Sequence, residues 1–407
     1  MILVEEAEKI ILSESQDYGI EEVLLEKAMG RILAEDINAD RDLPPYDRVT
    51  MDGIALNYDA YKRGVRTYNV IGVQAAGDFP IEIKNPNECI EIMTGAALPS
   101  SVDTVVRYED VIIENGTAKI IIDNVRIGQS IHLQGVDKKQ QDVIVTADKL
   151  VDPVLISVAA SAGKSKLFVK KLPTVLIVST GNELVNVDVI PNPYEIRRSN
   201  DFMLNAALKP FHIDADMLHI GDDTELIKDS LKMSLDKYDV IILNGGISMG
   251  KFDHIPEVLA ELSVQMLFHK VKQRPGKPFW FGKHTRGAKV FAFPGNPVSA
   301  FMCFNRYFIP WLNSSLGIND SPINAILNED IGFDAPLQYF LQVKVKMSNI
   351  GELIAIPIEG NGSGDFSNLL LCDAFMELPM ERNNFIKGEV YRIWPFTQCF
   401  LNNINNS

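Results

Sequence analysis

Between residues 172 and 314 the chain keeps one rhythm: a short apolar run, a polar loop containing glycine, then a stretch with helical periodicity. Val175-Leu176-Ile177-Val178 leads into Ser179-Thr180-Gly181-Asn182-Glu183, and residues 215–220 lead into Gly221-Asp222-Asp223. Val240-Ile241-Ile242-Leu243 leads into Asn244-Gly245-Gly246-Ile247-Ser248-Met249-Gly250, and residues 289–293 into Pro294-Gly295-Asn296-Pro297. Runs with no polar alternation belong to strands buried on both faces, and helices between them mean βαβ crossovers in a parallel sheet. In such sheets ligands bind beyond the carboxyl ends of the strands, so these loops are the expected site.

The flanking sequence has a different character. Residues 3–14 and 21–29 carry apolar side chains at helical spacing, with Gly30 as a stop for the second helix. Strand-like runs follow at 68–73, 89–93, 104–108, 111–114 and 118–122, with turns such as Glu114-Asn115-Gly116. That part is expected to be mostly β and antiparallel. After 322 short strands return, at 341–345, 353–356 and 390–393, as a small separate β domain, and the asparagine-rich end is expected to be disordered. The expected fold class is α/β plus β, in several domains. A three-layer α/β domain spans 172–319, and a mostly-β domain is inserted at 44–138. A helical and β linker region takes 1–43 with 139–171, and a C-terminal β domain takes 320–402.

Composition narrows the function. Charged residues are 23% of the chain, and the net charge of −15 argues against general binding to nucleic acid or to anionic membranes. No apolar run approaches the roughly 18 residues a membrane span needs. Glu5, Glu6 and Glu8 stand where a secretory signal would be basic and then apolar, so a cytosolic, cytoplasmic protein is expected. Cys89, Cys303, Cys372 and Cys399 lie far apart without a CxxC pair and read as free thiols in a reducing compartment. An anionic ligand must then be held by a local group of cations and backbone amides.

Two segments offer such a group. The loop from Asn244 to Asp253 is glycine-rich, which lets backbone N–H groups point at an oxyanion, and a helix is expected to begin near His254. Gly245, Gly246 and Ser248 are its candidate ligand contacts, the alternative being a tight turn in which the glycines serve packing. Lys270, Lys272, Arg274 and Lys277 gather in an otherwise acidic chain, around the stiff Arg274-Pro275-Gly276-Lys277-Pro278. Lys272 and Lys277 could hold phosphate or a tetrahedral oxyanion as point charges, or form a solvated basic edge. Glu183, Asp222, Asp223 and Asp253 all fall at strand ends. Carboxylates facing a phosphate need a hard cation between them, which implies Mg²⁺, although Asp222, Asp223 and Asp253 would equally cap helices. Pro294, Asn296 and Ser299 lie in a stiff loop entering a helix, read as ligand contact or as a Pro-initiated helix start. Asp52, before Gly53, and Thr94, before Gly95, carry no functional signal by themselves.

Together these segments resemble the molybdopterin molybdenumtransferases and the related E domain of gephyrin. The family's LPxFDNSAMDGYA stands here at 43–55, its IMTGAxLP at 92–99, with 102–106 as its VVxxE approach to Glu109, and its STGDEL at 179–184. The SN that opens the next helix is Ser199-Asn200. SGGVSxGxxD stands at 244–253, KPGKP at 274–278 and PGNPVSA at 294–300. The chain departs from the pattern at Arg48-Val49-Thr50, Ile54, Asn182 and Asn244, and residues 337–342 lack the arginines the family tends to carry there.

The resemblance makes residues 172–319 a molybdopterin-binding-like domain. It makes Asp52, Thr94, Glu183, Asp222 or Asp223, Asp253, Lys272 and Lys277 the functional positions. Of these, Asp52, Glu183, Asp253 and Lys277 are the expected catalytic set, and Asp52, Asp222, Asp223 and Asp253 the expected metal ligands. The implied reaction joins molybdate to adenylyl-molybdopterin with Mg²⁺, giving molybdenum cofactor and AMP. The implied assembly is a homodimer with the site shared between subunits, and a molybdopterin adenylyltransferase is a possible partner. The competing readings are a nucleotide-processing hydrolase on the same domain and a binding or scaffold protein.

Overall fold

The structure is a computed structural model that describes residues 1–247, 255–318, 321–360 and 362–396. The chain divides into two compact units: residues 1–22, 30–32 and 168 onward form one, and residues 23–29 and 33–167 the other. Among the described residues no helix is long and apolar enough to cross a membrane. Cys89, Cys303 and Cys372 are buried free thiols, and Cys399 lies outside the described residues.

The larger unit is built on a six-stranded sheet in the order Asp216–Ile220, Val175–Thr180, Val240–Asn244, Lys289–Phe293, Trp280–His284, Val264–His269. The first four strands are parallel, with Ile177 beside Met217 and Ile242, and Ile242 beside Phe291. The last two are antiparallel to their neighbours, so the sheet is mixed and not wholly parallel as expected. The reason is local. Only the short connection 285–288 separates Trp280–His284 from Lys289–Phe293, and a parallel crossover needs a dozen or more residues.

Because side chains alternate along a strand, the apolar runs feed two cores. Val175, Ile177, Val240, Ile242, Phe291 and Phe293 face the N-terminal helix Val4–Ser13 and the helical run 297–315. Leu176, Val178, Ile241, Leu243, Val290 and Ala292 face the helices Thr224–Lys237 and Ile255–Glu261. Phe291 touches Phe281, Phe308 and Trp311, with ring centroids 4.7, 5.3 and 5.4 Å away. Truncating it to alanine is worth about 3–5 kcal/mol. Val4, Ala7 and Ile11 present the buried stripe of the first helix. The run 297–315 widens into a π turn at Phe304–Phe308, just ahead of Pro310, whose missing N–H would break a regular helix there.

The C-terminal strands Gln338–Met347, Leu353–Pro357, Ile323–Leu327, Val390–Pro395 and Ala374–Leu378 bond in that order, and the last returns to the first. The sheet therefore closes on itself. Gln273–Arg274 joins it alongside Gln338 and Tyr339. The expected C-terminal β domain is present, but a strand from the α/β region is woven into it, and both belong to one compact unit.

The smaller unit holds a six-stranded sheet ordered Thr104–Arg107, Gly53–Leu56, Glu88–Ile92, Thr67–Gln74, Thr117–Ile120, Val111–Glu114. The turn at Asn115-Gly116 has φ of 49° and 74°, the left-handed pair that a two-residue hairpin demands. One pair departs from the antiparallel expectation, since Thr67–Gln74 and Glu88–Ile92 run parallel. The crossover between them is held by the buried Gln74 carboxamide, which donates to Ala97 O at 2.6 Å and accepts from Ile81 N at 2.8 Å. The helix expected at 21–29 is instead the strand Ile20–Leu24 followed by a single tight turn, Leu25–Lys27. Exposure alternates along that strand, and so short an amphipathic pattern cannot hold a helix by itself.

Candidate active site

In the larger unit the four parallel strands end on one edge, and their loops lock together. Gly245 N donates to Phe293 O at 3.2 Å, joining the start of the glycine loop to the end of the neighbouring strand. Gly245 and Gly246 have φ of 97° and 68°, and a Cβ on Gly246 would lie 2.9 Å from Thr180 Oγ1, so the loop closes over the strand beside it only as glycine. Asn182 N donates to Asp222 Oδ2 and Asp222 N to Asn182 Oδ1, both at 3.1 Å. Asp223 accepts from Leu226 N at 3.0 Å as the cap of the Thr224–Lys237 helix. Glu183 is exposed and folds back over Gly181. At the other end, His269 meets Ile247 O at 3.2 Å, and burial pushes its imidazole below the usual histidine range despite that contact.

The cationic segment is fixed from behind. The buried Gln273 carboxamide donates to Gly276 O at 2.9 Å and accepts from the Tyr307 hydroxyl. Lys272 N donates to Ile2 O at 2.8 Å, and Gln338 N to Lys272 O at 2.9 Å. Lys272 is half-buried and Lys277 exposed, and neither side chain has a carboxylate partner among the described residues. The third segment is the start of the helix Pro297–Cys303. Asn296 occupies the cap position without a side-chain cap bond, and its Nδ2 donates to Ser363 Oγ at 2.8 Å. Val298 N reaches Ser363 O at 3.3 Å, which brings the C-terminal domain onto this loop.

In the smaller unit Asp52 and Thr94 meet. Thr94 N donates to Asp52 Oδ1 at 2.6 Å, and Tyr108 N to Asp52 O at 3.1 Å. The Thr94 amide and hydroxyl hold the exposed Asp52 carboxyl below its usual range. Gly53 follows because two strands close on it, and a Cβ there would collide with the Val106 carbonyl oxygen. An open cleft of about 660 Å³ starts at Met51 and continues past Arg107, Asp110, Asp123 and Gln129.

Three family profiles match the chain in order. "MoeA N-terminal region (domain I and II)" covers residues 2–163, "Probable molybdopterin binding domain" 176–314, and "MoeA C-terminal region (domain IV)" 324–396. A molybdopterin molybdenumtransferase of Synechocystis is 36% identical over 394 residues, covering 96% of this chain and 99% of that protein. This chain belongs to the molybdopterin molybdenumtransferase family. A Staphylococcus epidermidis enzyme of the same name is 31% identical over 96% of this chain and 94% of its own length. The crystal structure of the molybdopterin biosynthesis MoeA protein from Pyrococcus horikoshii superposes with a TM-score of 0.80 at 28% identity, covering 97% of this chain and 99% of that one.

For a molybdopterin molybdenumtransferase, the strand-end loops bring together many of the positions singled out in the sequence. Gly245, Gly246 and Asn296 lie in loops joined by hydrogen bonds, while Pro294 and Ser299 are buried behind them, Ser299 with only 4% of its surface exposed. Ser248 and Asp253 lie outside the described residues. Among the described residues no three metal-ligating side chains converge. Asp222 and Asp223 each accept a backbone amide through one carboxylate oxygen, and Asp52 belongs to the other unit. Sequence reasoning passed over Asn182, Asn200 and Ser363 as site residues. The signal available for Asn200 was its place in the Ser199-Asn200 pair that the family resemblance puts at a helix start.

Proposed function

We propose that this chain inserts molybdate into adenylyl-molybdopterin, releasing AMP and giving molybdenum cofactor. The observation that carries the reading is the interlock of the glycine loop with the strand leading to Pro294-Gly295-Asn296, in the same unit as Lys272 and Lys277, which have no carboxylate partner among the described residues. Backbone N–H groups in the glycine loop suit the phosphates, and the two lysines suit a tetrahedral dianion. The dithiol gives its two protons to one molybdate oxygen, which leaves as water while both sulfurs bind molybdenum. A second water splits the phosphoanhydride, leaving molybdopterin phosphate and AMP. The protein's part is to bind and align the two anions.

The reading includes a homodimer in which the Asp52–Thr94 corner of one subunit serves the strand-end loops of its partner. The test is to mix purified protein with adenylyl-molybdopterin and molybdate. AMP should appear with cofactor able to reconstitute an apo molybdenum enzyme. If neither product forms with or without added Mg²⁺, the reading is wrong.

A further inference from the structure

We infer that Asn200 is a positioning residue for this site: its carboxamide N–H₂ group sets the separation between the glycine loop and the Pro294-Gly295-Asn296 loop. The inference rests on the function proposed above. Asn200 is the first residue of the helix Asn200–Leu208, and Ser199 before it makes no side-chain cap. Asn200 does not cap either. Its Nδ2 donates to Gly295 O at 2.8 Å and to Asn244 Oδ1 at 3.3 Å. One nitrogen thus ties the last residue of the Val240–Asn244 strand to the middle of the loop beyond Lys289–Phe293.

The loops need such a tie. A Cβ on Gly295 would sit 3.7 Å from Gly245 Cα, so the two backbones are nearly in contact with no side chains between them. Without Asn200, the Gly295 carbonyl and the Asn244 carboxamide oxygen lose this donor.

The helix that carries Asn200 is itself pinned. Asp201, 1% exposed, accepts from Ser179 Oγ at 2.7 Å, and Arg198 lies 3.8 Å from the same carboxylate oxygen. Ser179 belongs to the Val175–Thr180 strand. Residues 198–201 therefore join the ends of three parallel strands, with Asn200 facing the loops and Asp201 facing the sheet. The Asn200 carboxamide oxygen has no hydrogen-bond partner among the described residues, so it can receive a ligand donor without breaking the tie.

The experiment compares wild type with Asn200→Asp and Asn200→Ala. Aspartate keeps the size and suits a first helical turn, but it turns an oxygen toward two acceptors. Both variants should unfold cooperatively near the wild-type temperature and keep kcat within about twofold. KM for adenylyl-molybdopterin and Kd for molybdopterin, read by fluorescence titration, should each rise about tenfold or more. If Asn200→Asp does not fold, Asn200→Ser serves in its place, being too short to bridge. Unchanged KM and Kd overturn the inference, as does a fall in thermal stability with wild-type KM, which marks a purely structural residue. If the wild type itself gives no turnover, the proposed function fails instead, and the molybdopterin titration alone still tests Asn200.

Discussion

The Thr94 amide donates to the Asp52 carboxylate across 2.6 Å, and both residues are exposed at one corner of the smaller unit. An asparagine at position 52 would keep that acceptor and the backbone bond to Tyr108 while losing the charge. Asp52→Asn should therefore stay folded and still bind adenylyl-molybdopterin, with AMP release falling of order 10²-fold. Thr94 holds the wild-type carboxyl ionised, so no rate change assignable to Asp52 should appear between about pH 5 and 8. Near-normal turnover by Asp52→Asn makes it a turn residue.

Whether the site is shared between subunits can be read by mixing. Asp52→Asn and Lys277→Ala should each be inactive alone. If one subunit supplies the carboxylate and the other the lysine, subunits exchanged by mild denaturation should regain about a quarter of wild-type activity, one intact site in half the dimers. No recovery, or a monomer mass by light scattering, contradicts the proposed dimer.

Lys277 and Gln273 should separate binding from stability. Lys277→Ala removes an exposed cation with no carboxylate partner among the described residues, so stability should shift by no more than about 0.5 kcal/mol while molybdate binding weakens. Gln273→Leu strips a buried amide from Gly276 O and from the Tyr307 hydroxyl, and should cost about 1–3 kcal/mol in denaturant melts. Equal losses of stability in the two variants would give Lys277 a structural role.

Asp223 caps a helix, and an asparagine caps nearly as well. Asp223→Asn should leave both stability and turnover near wild type, whereas Asp223→Ala should cost about 1 kcal/mol. A large loss of turnover in Asp223→Asn at matched stability would make it a metal ligand.

Glu14 sits between Lys283 at 2.9 Å and the buried Lys289 at 3.0 Å. Burial alone would raise its pKa, yet hydrogen bonds and charge from the two lysines hold it below the usual glutamate range. A lowered folded-state pKa means the stabilisation is complete above the unfolded value, about 4.3, and fades as pH drops through the folded one. Glu14→Gln should cost about 3 kcal/mol at pH 7, and its gap to wild type should narrow below about pH 4. A gap independent of pH would contradict the ion-pair origin.

The periodicity of residues 172–314 was legible because strands buried on both faces must be apolar throughout, and the loops that end them must be polar. The pairing partners were not legible. Nothing in Gln273 or Gln338 marks them as neighbours, since that contact is made by backbone bonds any residue can form. The resemblance named Asn200 as part of the SN that opens a helix, but its contact was not legible for a related reason. Its partners are a carbonyl and an asparagine, far along the chain, that carry no sequence signature of the contact. Asp52 and Thr94 came only from the resemblance, and the structure then placed them in contact.

The closed sheet at the C-terminal end has a consequence for how copies of this chain can meet. A strand row that bites its own tail has, among the described residues, no end strand left without a neighbour for a stranger's backbone to extend, and a further rung is taken by the protein's own Gln273–Arg274. Fusion of two copies through this sheet is thereby blocked. Self-association at that end must rely on side-chain fit, which can be both selective and reversible.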